Sequence, residues 1–196
     1  MLSSNHVAFK EWAAVCAALG DGWQTLIVRK GGLHEGGEGF RVAHREFWLF
    51  PTYAHEAAAA LDETAVSLVD RALSERPPSG SLRFAHYAVV SDVFDVRDEA
   101  ALPRLAGLHV WSARTIDERF HYREPRLFVL IVRIYALAEG HLIPDSVHFA
   151  GCRSWVELPV ELSTAGLIPV LSDSEFARRQ RQIELALSAD RQQRTT

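Results

Sequence analysis

The chain has 196 residues, enough for a domain that buries roughly 70% of the surface its unfolded chain exposes. Its formal net charge is −4, from 21 basic and 25 acidic residues, which excludes nonspecific coating of nucleic acid through bulk positive charge. Two cysteines far apart in the sequence, Cys16 and Cys152, exclude a disulfide framework and a paired zinc knuckle.

The sequence carries no membrane-targeting pattern. The first residues, MLSSNHVAFKEW, lack a basic flank followed by an apolar core, and no stretch approaches the roughly 20 apolar residues of a membrane span. We therefore expect a reduced, cytoplasmic protein that does not contact a membrane.

The N-terminal region is predicted to hold a helix and then a strand. Apolar residues from 9 to 19 recur at spacings of three and four, which predicts a helix that starts after residue 7 and ends at residues 20–22. Residues 24–30 alternate and are rich in β-branched side chains, which predicts a strand ending in Arg29 and Lys30. Alternation places these two cations on opposite sides of the strand.

Glycines crowd the loop that follows this strand, at positions 31, 32, 36, 37 and 39. Glycine permits positive φ and a close approach of the backbone to a ligand. The loop is either a mobile hairpin connection or a loop that closes over an anionic ligand, with Lys30, Gly31 and Gly32 among the donors. A P-loop is excluded because the Gly-Lys-Ser/Thr ending is absent.

Three histidines in and after this loop each precede a glutamate by one or two residues. Histidine carries protons at neutral pH and binds divalent metals, so His34, Glu35, His44 and His55 are the candidate catalytic residues. Their spacing matches neither HExxH nor another short ligand motif. We predict no bound metal and no cofactor.

An aromatic strand over residues 40–50 is predicted to place Phe47 and Leu49 opposite Trp48 and Phe50. Further helices are predicted after residues 53, 98, 112 and 172. Their N-cap candidates are Thr52, Ser112 and Ser172, the last in a capping box with Glu175.

The clearest break between predicted elements is the sequence RPPSG, because proline and glycine end helices and form turns. We expect a single domain over 1–196. Any division into two lobes would fall near 76–81 and separate 1–76 from 81–190.

The second half is predicted to be rich in strands. Residues 82–96 form one long bent strand or two strands, and the run LFVLIVRIYAL lacks alternation, which is typical of a central strand covered on both faces. Arg133 interrupts this run, and a structural ion pair is the favoured explanation for a charge in such a strand. The order of elements predicts an α+β fold: a mixed, largely antiparallel sheet flanked by about five helices.

Five segments in this order resemble a known family: LIVRKGGLHE, FRVAHREFWLFPTYAHE, HVWSARTIDERFHY, LFVLIVRIYAL and FAGCRSWVELP. They are similar to the bacterial and archaeal family known as domain of unknown function 1802. The family name implies no activity. Related domains occur together with restriction-type nuclease domains, so the resemblance implies a role in restriction or DNA defence.

Three functions remain open from the sequence. The first is a nucleic-acid-associated module that binds DNA, RNA or a small anionic ligand, with aromatic residues as stacking surfaces. The second is a hydrolase, metal-dependent or using His and Glu as acid and base. The third is a small regulatory or assembly protein without catalysis, and a homo-oligomer is compatible with the sequence. The candidate ligand-binding residues are Arg29, Lys30, Gly31, Gly32, Trp111, Arg119, Arg123 and Arg133.

Overall fold

A computed structural model describes residues 1–31, 42–53, 58–151 and 153–188. The described residues confirm the α+β prediction: they form one mixed, largely antiparallel sheet of seven strands, with four α-helices and five short 3-10 helices. The strands are β1 (Ser4–Trp12), β2 (Leu26–Arg29), β3 (Glu46–Thr52), β4 (Ser81–Val96), β5 (Leu127–Pro144), β6 (Trp155–Ser163) and β7 (Ile168–Pro169). The α-helices are α1 (Ala13–Gly20), α2 (Ser67–Ser74), α3 (Ala113–His121) and α4 (Asp173–Ser188).

The sheet has the strand order β2-β5-β4-β3-β1-β6, and β7 adds to β5. All neighbours are antiparallel except β1 and β3, which run parallel. Strands from both sides of residues 76–81 therefore lie in one sheet.

The predicted central strand is confirmed. In β5, residues 127–132 are all buried, because β2 and β4 flank the strand and both of its faces are covered. Its partner β4 is one long strand over residues 81–96, with register shifts near His86 and Ser91 that bend the pair.

The prediction of a helix starting after residue 7 was wrong. Residues 4–12 form β1, and α1 begins only at Ala13. The cause is that β1 lies between β3 and β6 with both faces buried: Phe9 packs into one core cluster and Ala8 into a second. A strand that is buried on both faces shows no alternation of apolar and polar residues. The aromatic residues of β1 therefore looked like the start of the apolar pattern of α1.

Two of the predicted helix starts are confirmed by their caps. The Ser112 Oγ accepts a hydrogen bond from the Thr115 amide at 3.2 Å, and the Ser172 Oγ accepts one from the Glu175 amide at 3.2 Å. Thr52 is not a helix cap, because it ends β3 and its Oγ1 donates to the Glu11 carbonyl at 3.1 Å. The short helix predicted after residue 98 is present as two 3-10 turns, and the Asp98 Oδ1 caps the first by accepting a hydrogen bond from the Ala100 amide at 3.1 Å.

The sheet separates two clusters of buried apolar side chains, as the alternation in β3 predicted. Phe47 and Leu49 join the larger cluster together with α1, α3 and α4, whereas Trp48 and Phe50 join the smaller cluster on the other face. Within the described ranges, no helix combines the length and the apolar composition that a membrane crossing requires.

Gly22 lies two residues after the end of α1 and has a φ of +70°, in the left-handed region. A Cβ added there would lie 2.7 Å from the Leu171 Cδ2, so we expect Gly22→Ala to lower the free energy of unfolding by about 2 kcal/mol. Gly80 is the matched control, since its φ is +83° and no atom lies within 4 Å of the added Cβ. Urea denaturation should give a loss of about 1 kcal/mol for Gly80→Ala. Equal losses would contradict the close contact at Gly22.

Candidate functional site

A cleft of about 1090 Å³ lies where the C-terminal ends of β1 and β3 meet. The two ends are neighbours because the strands are parallel, with Glu11 opposite Pro51 and Trp12 opposite Thr52. The segments at 76–82, 145–151 and 153–154 complete the walls. Among the described residues that line the cleft, four are cationic and two are acidic: Lys10, Arg29, Arg76 and Arg153 against Glu11 and Asp145.

A nearly buried ion pair joins β1 and β2 in the cleft lining. The Glu11 side chain is only 2% exposed, and its Oε2 lies 3.3 Å from the Arg29 Nη1. Arg29 also donates to the Ser154 Oγ at 2.6 Å and stacks over the Phe9 ring at 4.8 Å. The guanidinium of Arg29 thus connects β1, β2 and the residue that precedes β6, and its charge is balanced by Glu11.

Lys10 is also held by the fold. Its ammonium donates to the carbonyl of Phe149 and, at 3.0 Å, to the carbonyl of Gly151. Its Nζ lies 5.6 Å from the centroid of the Phe50 ring. These contacts fix the position of the Lys10 ammonium in the cleft lining.

Arg76 and Arg153 come from two different segments of the cleft wall, and both are exposed. Arg76 stacks on the half-buried Tyr53 ring at 4.7 Å. Within the part of the chain that the structure describes, neither guanidinium has a carboxylate partner. These two cations are therefore available to an anion that enters the cleft.

Behind the cleft wall, a stack of aromatic and cationic side chains connects β1 to α3. The Trp12 and Trp111 rings meet edge to face with centroids 4.8 Å apart, and the Arg119 guanidinium lies 3.6 Å from the Trp111 centroid. Burial lowers the pKa of Arg119, while the charges of Glu11 and Arg29 act on it in opposite directions. Arg29, Trp111 and Arg119, predicted separately, thus come together near the cleft.

Lys30 and Arg123 have other surroundings. The Lys30 ammonium donates to three backbone carbonyls: that of Phe120 in the last turn of α3, and those of Glu124 and Arg126 in the segment that follows the helix. Burial lowers its pKa, although the charge of Glu124 opposes the shift. Arg123 is exposed, has a φ of 66° and lies over the Tyr122 ring at 5.2 Å.

Arg29 and Arg133 do not share a cleft. Arg29 is the cross-strand partner of Phe128, so the two side chains lie on one face of the sheet. Arg133 follows Phe128 by five positions along β5 and points to the opposite face. There it forms an ion pair with Asp173 at the start of α4, as the sequence favoured.

The candidate catalytic residues are described only in part. His34, Glu35 and His55, and the predicted donor Gly32, lie outside the described residues, while Gly31 is the last position before that gap. His44 is half-buried and meets the Trp155 ring edge to face, with centroids 5.1 Å apart. Among the described residues, the one group with metal-ligand spacing is Glu99, Asp117 and His121, and all three are exposed.

The sequence missed Lys10, Trp12, Arg76 and Arg153. Arg76 precedes Pro77, and Arg153 follows Gly151 by two positions. Both lie in segments without periodicity, so no pattern distinguished them from ordinary surface arginines. The signal that would have found them is the pairing of β1 on both of its edges. Its pairing with β3 places Trp12 opposite Thr52, and its pairing with β6 places Phe9 opposite Trp155.

The sequence model of the family described as Domain of unknown function (DUF1802) matches residues 8–182, most of the chain. The chain belongs to the DUF1802 family. No curated protein matches this DUF1802 member.

Two similar solved structures come from Zymomonas mobilis. The ASCH protein, known from a crystal structure, is 10% identical in sequence to this chain. The two structures superpose with a TM-score of 0.44, and the match covers 89% of the DUF1802 chain and 92% of ASCH. A mutant of the same ASCH protein is 10% identical, with a TM-score of 0.45, and the match covers 92% and 98% of the two chains. These similarities concern the path of the backbone.

Proposed function

We propose that this protein binds single-stranded nucleic acid in the cleft at the ends of β1 and β3. The observation that carries the proposal is the pair of exposed guanidinium groups, Arg76 and Arg153, without carboxylate partners among the described residues. In the described lining of the cleft, cations outnumber acids by four to two, in a chain whose net charge is −4. A local excess of cations attracts a phosphate backbone even when the whole protein is acidic.

Aromatic side chains in the same cleft favour a single strand over a duplex. Trp12 and Tyr53 are half-buried in the lining, and Tyr53 already carries a guanidinium on its ring. Modules that bind single strands combine a cationic groove with aromatic rings on which unpaired bases stack. A duplex hides its base faces, so only its phosphates would contact the cleft.

Fluorescence anisotropy with labelled DNA and RNA strands of about ten nucleotides tests this function. We expect affinity to fall as salt rises, with a log–log slope of about −0.7 for each phosphate contact. The double variant Arg76→Gln/Arg153→Gln should lower affinity at least about tenfold and reduce the slope by about 1 to 2.

Arg114→Gln is the matched control, because Arg114 is exposed on α3, pairs with Glu118 and does not line the cleft. It should leave both affinity and slope near the wild-type values. Absence of binding, or a double variant that binds like the control, would contradict the proposal. Equal affinity for a duplex of the same length would remove the preference for single strands.

From the family resemblance we further propose that this binding serves restriction or DNA defence. It is tested by the plating efficiency of unmodified phage on cells with and without the protein. Equal efficiencies would argue against that setting while leaving nucleic-acid binding intact.

A further inference from the structure

A second cavity of about 710 Å³ lies on the other side of the Trp12–Trp111 contact. Trp111 forms part of its wall, and Trp23 contributes a second indole. Leu102, Val110 and Ile116 belong to an otherwise largely apolar lining. A concave apolar site of this size can enclose a small organic molecule.

The charge of this cavity is opposite to that of the cleft. Its described lining contains three carboxylates, Asp62, Glu99 and Asp117, and neither lysine nor arginine. Asp62 accepts hydrogen bonds from Thr64, while Glu99 and Asp117 each lie 3.4 Å from a ring nitrogen of His121. All three residues are exposed and line the cavity, so they repel anions and attract cations there.

His109 contributes to the cavity lining a polar side chain whose hydrogen-bonding capacity is unsatisfied. The residue is 9% exposed, and both of its ring nitrogens are buried without a hydrogen bond of normal geometry. Burial lowers the pKa of His109 to about 4, and the backbone groups of His109 and Trp111 oppose the shift only in part. A neutral imidazole presents an acceptor nitrogen, and leaving it unpaired in the protein interior costs free energy.

The geometry points to a binding site for a small organic amine with an aromatic or apolar body. The body would pack against Trp111 and the apolar wall, and the ammonium group would lie among the three carboxylates. An N–H donor of the ligand would satisfy His109. Phosphorylated and carboxylated molecules are excluded by the same carboxylates, so this site and the cleft select ligands of opposite charge.

Three probes of matched shape test the site: naphthylmethylamine, naphthalenemethanol and naphthoate, measured by calorimetry and ligand-observed NMR. The amine should bind about tenfold more tightly than the alcohol, because its charge meets the carboxylates, and naphthoate should bind weakest. Asp117→Asn should weaken the amine about threefold and leave the alcohol unchanged. His109→Phe should weaken the amine and the alcohol, since both lose a hydrogen-bond partner.

Glu118→Gln is the matched control: it removes a charge from the neighbouring position of α3 that does not line the cavity. It should not change the affinity for the amine. The inference is overturned if the alcohol or naphthoate binds as tightly as the amine, if no probe binds at millimolar concentration, or if Asp117→Asn behaves like Glu118→Gln. Asp117 is exposed, so its variant keeps the test valid even if His109→Phe does not fold.

Discussion

Replacing Arg29 by methionine should lower the free energy of unfolding by about 4 kcal/mol. The substitution leaves the Glu11 carboxylate, whose side chain is 2% exposed, without its cationic partner in a site with little water. It also removes the hydrogen bond to Ser154 and the stacking on Phe9. An uncompensated buried charge is among the most destabilising changes a point mutation makes.

Chemical denaturation of two further variants separates this effect from a general loss of charge. Arg114→Met breaks the exposed pair with Glu118 and should cost no more than about 0.5 kcal/mol. Adding Glu11→Gln to Arg29→Met should restore much of the stability, because the unpaired charge is gone. If Arg29→Met costs as little as Arg114→Met, Arg29 is not a structural residue and becomes a candidate contact for the ligand.

Acidification should destabilise the protein through His109, by about 2 kcal/mol between pH 7 and pH 5 and by about 3 kcal/mol at pH 4. The folded pKa of His109 is about 4, below the ordinary value of 6.5, because the ring is buried and the charge of Arg119 adds to the effect. Between pH 6.5 and pH 4, His109 therefore binds a proton in the unfolded chain but stays largely neutral in the folded chain. The stability from neutral His109 is fully present above pH 6.5 and is lost as pH falls toward 4.

Subtracting the unfolding curves of His109→Phe from those of the wild type isolates this contribution. Other buried groups, including His86 with its lowered pKa, titrate in both proteins and cancel in the difference. The phenylalanine variant should lose less stability on acidification than the wild type, by the amounts given above. Parallel curves would show that His109 takes up its proton as easily in the folded state as in the unfolded state.

Local signals predicted the second half of the fold better than the first. The central strand β5, the Ser112 cap of α3 and the Ser172 cap of α4 all follow from short stretches of sequence. The first strand did not, because a strand covered on both faces has no hydrophobic alternation to reveal it. Periodicity reports how a segment is buried, and it identifies the element only when one face remains in water.

The candidate site was less predictable than the fold for a related reason. Arg29, Trp111 and Arg119 were found by residue type, and Arg29 and Arg119 owe their place near Glu11 to the packing of β1, β2 and α3. Arg76 and Arg153 belong to segments that meet only after β1 has paired with both β3 and β6. Contacts between residues more than a hundred positions apart decide which cations are neutralised and which remain available. No local sequence pattern predicts these contacts.

The pairing of β1 has a kinetic consequence. One edge of this strand joins β3 about 40 residues later, and the other joins β6, which ends at Ser163. During synthesis, β1 cannot pair with β6 until most of the chain has left the ribosome. We expect slow, late closure of the sheet, since non-local strand pairing must offset a large loop-closure entropy before it stabilises anything.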